Sequence, residues 1–173
     1  MDEIDLRIIA ALQTNGRQKH NELARQLNLA QSTVAERVRR MEIQGVIKGY
    51  RAVIDPGRLG LNVRAFISIR LGRHEKEIIH DFEDQIRRIP RVQACYHLTG
   101  RYDYLLHVVA PDLDGLGRLV KDVIAELPGL VTSETFVIFS EIKVEEGLPI
   151  EPEGREEPGS EGPPIDPHNR TGE

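Results

Sequence analysis

Residues 21–50 constrain the fold more than any other stretch: two short amphipathic segments, a tight junction between them, and a β-branched run behind. In the first segment Leu23, Ala24 and Leu27 share one face. In the second, Val34, Val38 and Met41 have the spacing of a buried stripe on a 3.6-residue helix. Opposite that stripe lie Ser32, Glu36, Arg39 and Arg40, with Thr33 and Arg37 on its border and Gln31 at the helix start. Small hydroxyls in a first helical turn reach base edges or phosphates, and guanidinium forks grip guanine or phosphate oxygens in pairs. The pattern predicts a helix-turn-helix, with Gln31, Ser32, Thr33, Glu36, Arg37, Arg39 and Arg40 facing DNA. A helical hairpin whose arginines merely solvate a surface is the plainer alternative, and the flanking segments argue against it.

Upstream, Ile4, Ile8, Ala11 and Leu12 form one face of a first helix, with Asp2 placed to cap it. Downstream, Gly45 stops the third helix, and the β-branched residues of 46–55 predict a short hairpin, the wing of a winged domain over residues 1–55. Residues 56–62, rich in turn formers, read as a linker.

The net charge of -5 suits a DNA binder only once it is divided along the chain. Residues 1–60 carry 10 basic and 7 acidic side chains, residues 61–148 carry 11 and 14, and residues 149–173 carry 2 and 7. The basic surplus therefore sits on the helix-turn-helix segment. It is small, so tight binding calls for dimerisation or a concentrated patch. No apolar run approaches a membrane span, the acidic N-terminus is unlike a signal peptide, and the single cysteine, Cys95, excludes an intrachain disulfide. These features fit a protein of the reducing cytoplasm.

Residues 63–147 read as β-α-β-β-α-β. A strand carries Val63, Ala65, Ile67, Ile69 and Leu71 on one face, and a helix over 75–88 carries Ile78, Ile79, Phe82 and Ile86. Strands at about 91–99 and 104–110 follow, then a helix begun by Asp112 and bearing Leu113, Leu116, Val120, Val123 and Leu127, then a last strand over about 131–143. That order is the ferredoxin-like split arrangement, so the fold class is α+β. Two helices cover one face of such a sheet. Yet residues 104–109 and 136–139 are apolar on both sides, which predicts a homodimer with Val108 and Val137 at its core. Residues 148–173, with their prolines, glycines and acids, read as a disordered tail.

With both halves placed, the chain resembles the Lrp/AsnC (leucine-responsive, feast-famine) family of transcription regulators. The resemblance runs over about residues 1–147. It rests on Ile4-Asp5, Glu22-Leu23-Ala24, the run from Val34 through Arg37-Val38 and Met41-Glu42 to Gly45-Val46-Ile47, Leu59-Gly60, Gly100-Arg101-Tyr102-Asp103-Tyr104 and Ser133-Glu134-Thr135. It implies double-stranded DNA as partner, a nucleoid-associated regulator, a C-terminal effector-binding (RAM) domain, homodimers assembling into octamers, and a small effector, an amino acid or a related metabolite. Where family members cap the second and third helices with Ser or Thr, this chain has Lys19 and Ala30, so Gln31 or Ser32 is expected to take over.

The candidate effector site is the turn before the third strand of this domain. Gly100 permits a positive φ, so N–H groups of Gly100, Arg101 and Tyr102 can meet a carboxylate, while Asp103 offers a partner for an ammonium. Ser133 and Thr135 share one side of the last strand and add hydroxyls. By residues alone the turn reads rather as a plain hairpin in which Asp103 satisfies nearby backbone N–H groups; the resemblance reverses that and favours the effector. The histidines lack metal-ligand spacing, Cys95 reads as a small core residue, and no catalytic or phosphate-cradling motif is present, so neither cofactor, metal nor enzymatic activity is expected. Two other readings stand: a sirohaem-decarboxylase-like enzyme of the same architecture, and an architectural DNA-binding protein without effector.

Overall fold

The computed structural model describes residues 1–72, 75–144 and 147–150. The described chain forms two compact units, one of residues 1–52 joined by 147–150, the other Val53–Val144.

The first unit is three helices: α1 (Glu3–Thr14), α2 (His20–Leu27) and α3 (Gln31–Ile43). Asp2 caps α1 as its position predicted, in a reciprocal box with Asp5. Asn28, in the left-handed conformation that asparagine tolerates, turns the chain from α2 toward α3. Gly45, also left-handed, closes α3: its N–H donates to the Glu42 carbonyl and that of Val46 to the Met41 carbonyl. Ile8, Leu23, Ala24, Val34, Val38 and Met41 make the core, as the stripes foretold.

Three expectations fail here. Residues 46–55 form no strand, so the unit has no wing. A lone two-stranded ribbon is marginal in water, and the Tyr50 hydroxyl instead donates to Glu42 at 3.0 Å, drawing the segment against α3. The starts of α2 and α3 carry no side-chain cap, so neither Gln31 nor Ser32 replaces the missing hydroxyls. Residue 148 is not part of a free tail: Gln13 Nε2 donates to the Leu148 carbonyl at 3.0 Å and its Oε1 accepts from the Leu148 N–H at 2.7 Å. The remaining tail expectation, for 151–173, lies outside the described residues.

The second unit is an antiparallel sheet in the order β2-β3-β1-β4: β1 (Val63–Leu71), β2 (Val92–His97), β3 (Tyr104–Ala110) and β4 (Leu130–Val137). Helices α4 (Lys76–Arg87) and α5 (Leu113–Arg118) complete the split arrangement. Ala65, Ile67, Ile69 and Leu71 of β1 and Tyr104, Leu106, Val108 and Ala110 of β3 face Phe82, Ile86, Leu116, Leu119, Ile124 and Leu127. The second helix differs from its expectation. After α5 the chain opens into a π turn over Leu119–Val123 and a 3₁₀ turn over Ile124–Glu126. Leu119 and Ile124, five residues apart, share a face only through a π turn, which leaves Val123 outside the core; Leu113, at the start of α5, is exposed as well. Likewise β4 ends at Val137, and Phe139 is fully exposed.

The register corrects the expected dimer core. Val108 is buried toward the helices, and Val137, paired with Ala65, shares that side. The uncovered face instead carries Phe66, paired with both His107 and Phe136, together with Leu105 and Tyr96. Phe66, Tyr96 and Phe136 are all solvent-exposed on it.

Candidate functional site

On α3, Gln31, Ser32, Thr33, Glu36, Arg39 and Arg40 are exposed together, while Val34, Val38 and Met41 lock the opposite side into the core. A short helix with one open polar face is what a major groove admits. The three arginines, however, are not equivalent. Arg37 turns toward α1, where its Nη1 donates to Asp2 Oδ2 at 2.7 Å and Asp5 Oδ1 at 2.8 Å, and its side chain is only 21% exposed. Arg37 is thus a brace between helices and not a groove-facing side chain. Arg40 Nη2 donates to both Asp5 oxygens, at 2.9 and 2.8 Å, yet 47% of its side chain remains in solvent. Arg39 is exposed and makes no ion pair among the described residues.

Asp5, which the sequence reading left without a role, sits at the centre of this cluster and is 1% exposed. Burial alone raises its carboxyl, but the Arg37 hydrogen bond, the Asp2 N–H and the Arg40 charge outweigh it and hold Asp5 below the usual carboxylate range. A signal did exist: Asp5 lies three residues before Ile8 on the apolar side of α1, and a buried charge requires a partner.

At the starts of α2 and α3, a hollow is lined by Gln18, Lys19, His20, Asn21 and Gln31. Neither helix start spends its N–H groups on a side-chain cap there, and helix N-termini with unused donors favour anions. Lys19, read from sequence only as a lost cap, adds a cation to that hollow.

In the second unit the 99–103 turn is exposed at its tip. Gly100 has φ +130°, and a side chain there would meet open space, so the glycine serves the backbone and leaves room above it. Asp103 is anchored: its Oδ2 accepts the Leu71 N–H at 2.7 Å, and its own N–H donates to the Ile69 carbonyl. The N–H it accepts lies on β1, so Asp103 ties the turn to the neighbouring strand. Arg101 lies over the Tyr102 ring, bonds its hydroxyl, and reaches Glu134 Oε1 at 3.4 Å. Ser133 and Thr135 pair with Ile69 and Ile67 and so share one side of β4; Glu134, which Arg101 reaches, stands on the other. The turn therefore meets β4 on the side away from the two hydroxyls.

Cys95 is not a core residue but lies exposed on β2. Desolvation at the thiol, then the neighbouring Glu83, pushes it up to about 11, so it is protonated and weakly nucleophilic at neutral pH. Among the described residues, no group of three or more His, Cys, Asp or Glu is placed to hold a metal ion, and no helix is long and apolar enough to cross a membrane.

Two folds in one chain, one shaped for a DNA groove and one presenting an open glycine turn, are the construction of a ligand-responsive transcriptional regulator. Residues 1–42 match the AsnC-type helix-turn-helix domain, and residues 64–148 match the Lrp/AsnC ligand binding domain. The leucine-responsive regulatory protein of Escherichia coli K12 is 33% identical over 150 residues, 87% of this chain and 92% of that protein. A transcriptional regulator from Neisseria meningitidis, solved as its L-Met complex, superposes with a TM-score of 0.82 at 31% identity, covering 86% of this chain and 96% of the other. E. coli AsnC superposes at 0.76 with 27% identity, over 83% and 95%. The chain belongs to the Lrp/AsnC family of transcriptional regulators.

Proposed function

We propose that this protein binds double-stranded DNA through the exposed side of α3, and that an amino acid bound near the 100–103 turn changes that affinity. The observation that carries the DNA reading is the division of α3 into a side locked in the core and a side offering Gln31, Ser32, Thr33, Glu36, Arg39 and Arg40. Arg39 is the primary contact, because Arg37 is committed to α1. The basic hollow around Lys19 receives a backbone phosphate.

The effector reading is supported by the open space above Gly100 and by the L-Met bound to the Neisseria relative. The backbone of Gly100 to Tyr102 meets the ligand carboxylate. Asp103, anchored by the Leu71 N–H, accepts the ammonium. Ser133 and Thr135 contribute only if the ligand reaches around the edge of β4. The uncovered sheet face with Phe66, Leu105 and Phe136 pairs with a second copy, dimers assemble into octamers, and the protein works on the nucleoid in the cytoplasm by binding and not by catalysis.

Calorimetric titration with a panel of amino acids, combined with DNA binding in their presence, tests this reading. At least one amino acid should bind, and by reciprocal linkage it should shift the DNA isotherm. Asp103→Asn should weaken that amino acid roughly ten- to a hundredfold through loss of a charge-assisted bond. Equal affinity of both proteins would remove Asp103 from the site, and no binding by any amino acid would refute the effector class.

A further inference from the structure

The geometry of the α1–α3 ion cluster assigns a second role to a residue that no DNA can touch. We propose that Asp5 is a positioning residue for DNA binding, holding the Arg40 guanidinium at Nη2 so that its remaining N–H donors, on Nη1 and Nε, are aimed at a DNA phosphate. The inference rests on the helix-turn-helix reading above and adds to it the group that aims one of its contacts.

Arg40 Nη2 donates to both oxygens of Asp5. A guanidinium carries five N–H donors in a rigid plane, and those on Nη1 and Nε of Arg40 form no hydrogen bond among the described residues. Nearly half of the side chain is in solvent. A free arginine on a helix surface loses rotamer freedom when it meets a phosphate. Arg40 has lost it already, because Asp5 is itself immobile: 1% exposed, bonded by the Asp2 N–H at 3.1 Å and by Arg37. The cluster pairs two carboxylates, Asp2 and Asp5, with two guanidiniums, Arg37 and Arg40, so Asp5 acts on Arg40 by fixing its direction and not by leaving it a surplus charge. Phosphate binding through a planar guanidinium already held at Nη2 is directional, which a lone lysine cannot reproduce.

The test uses the full-length protein and a short fluorescein-labelled duplex of mixed sequence, followed by anisotropy across a range of salt. Arg40→Lys keeps the charge and a surface position, but one ammonium cannot serve Asp5 and a phosphate with the same geometry. Binding is expected to weaken about three- to tenfold, with the log–log salt slope reduced by about one. Asp5→Asn should do the same in the wild-type background, yet change affinity less than about twofold when Arg40 is already alanine. A purely structural role for Asp5 would weaken both backgrounds by the same factor. Thermal melts choose a temperature at which each variant is folded, and if Asp5→Asn does not fold, Arg40→Lys decides. Wild-type affinity and slope in Arg40→Lys, or equal losses from Asp5→Asn in both backgrounds, would overturn the proposal. A wild-type protein that leaves the duplex free at low salt would overturn the DNA-binding reading and this one with it.

Discussion

Asp5 shows how much of this molecule turns on single side chains. Its carboxyl lies below its ordinary value of 3.8 in the folded state, so the stability it contributes is complete above that value and is lost as pH falls through the lower folded one. Asp2, held down first by the Asp5 N–H and then by Arg37, acts in the same direction. Thermal melts of the full chain should therefore show an acid limb below about pH 4, and Asp5→Asn should flatten that limb while costing about 1–3 kcal/mol at neutral pH. An unchanged limb in Asp5→Asn would assign acid sensitivity elsewhere. The pair Arg37 and Arg39 separates the two jobs of an arginine. Arg37→Ala is expected to lower the melting temperature, whereas Arg39→Ala should leave it within the ordinary range for a surface change, about 0.5 kcal/mol, and weaken DNA binding. Sequence periodicity placed both on or beside the exposed arc of α3. It could not show that carboxylates more than 30 residues away bend Arg37 back toward α1, because ion pairing between helices leaves no spacing signature.

At the scale of elements, legibility followed the length of the repeating pattern. Helices α1, α3 and α4 and strands β1 and β3 carry several apolar residues at one period, and each formed where that period predicted. The failures are elements whose stability depends on something outside themselves. The 46–55 hairpin had β-branched residues but no third strand to lean on. The helix after Asp112 obeyed an α period in sequence, yet the core is filled through the five-residue step from Leu119 to Ile124. The 147–150 segment was hidden by its composition, which resembles the tail that follows. Its attachment also has a steric condition: Gly147 has φ +117°, and a Cβ there would lie 2.9 Å from Gln13 Cδ and Oε1. Gly147→Ala is expected to break the Gln13–Leu148 bonds at a cost of about 1 kcal/mol, read as faster hydrogen exchange at the Leu148 amide. Gln13→Ala should accelerate the same amide, and slow exchange in both variants would mean another contact holds the segment.

For the whole molecule, the sequence predicted a partner for the sheet but placed Val108 and Val137 against it, on the side that the helices cover. Alternation gives two faces, and only the register tells which one the helices cover. Val108→Asp, buried toward the helices, is expected to unfold the second domain at a cost above about 4 kcal/mol, and not to yield a folded monomer. Phe136→Asp, on the uncovered face, should cost about 1 kcal/mol and convert the assembly to folded monomers in light-scattering chromatography. A wild-type dimer in that variant would move the interface to another surface. The proposed dimer carries two α3 helices and so predicts paired half-sites on DNA, separated by whole helical turns. The most direct measurement of the central claim is therefore the mapping of genomic binding sites for the wild-type protein and Arg39→Ala. The account predicts discrete wild-type sites containing half-sites spaced by multiples of about 10–10.5 bp, largely lost in Arg39→Ala. Uniform wild-type coverage, or an unchanged set of sites in Arg39→Ala, would contradict it.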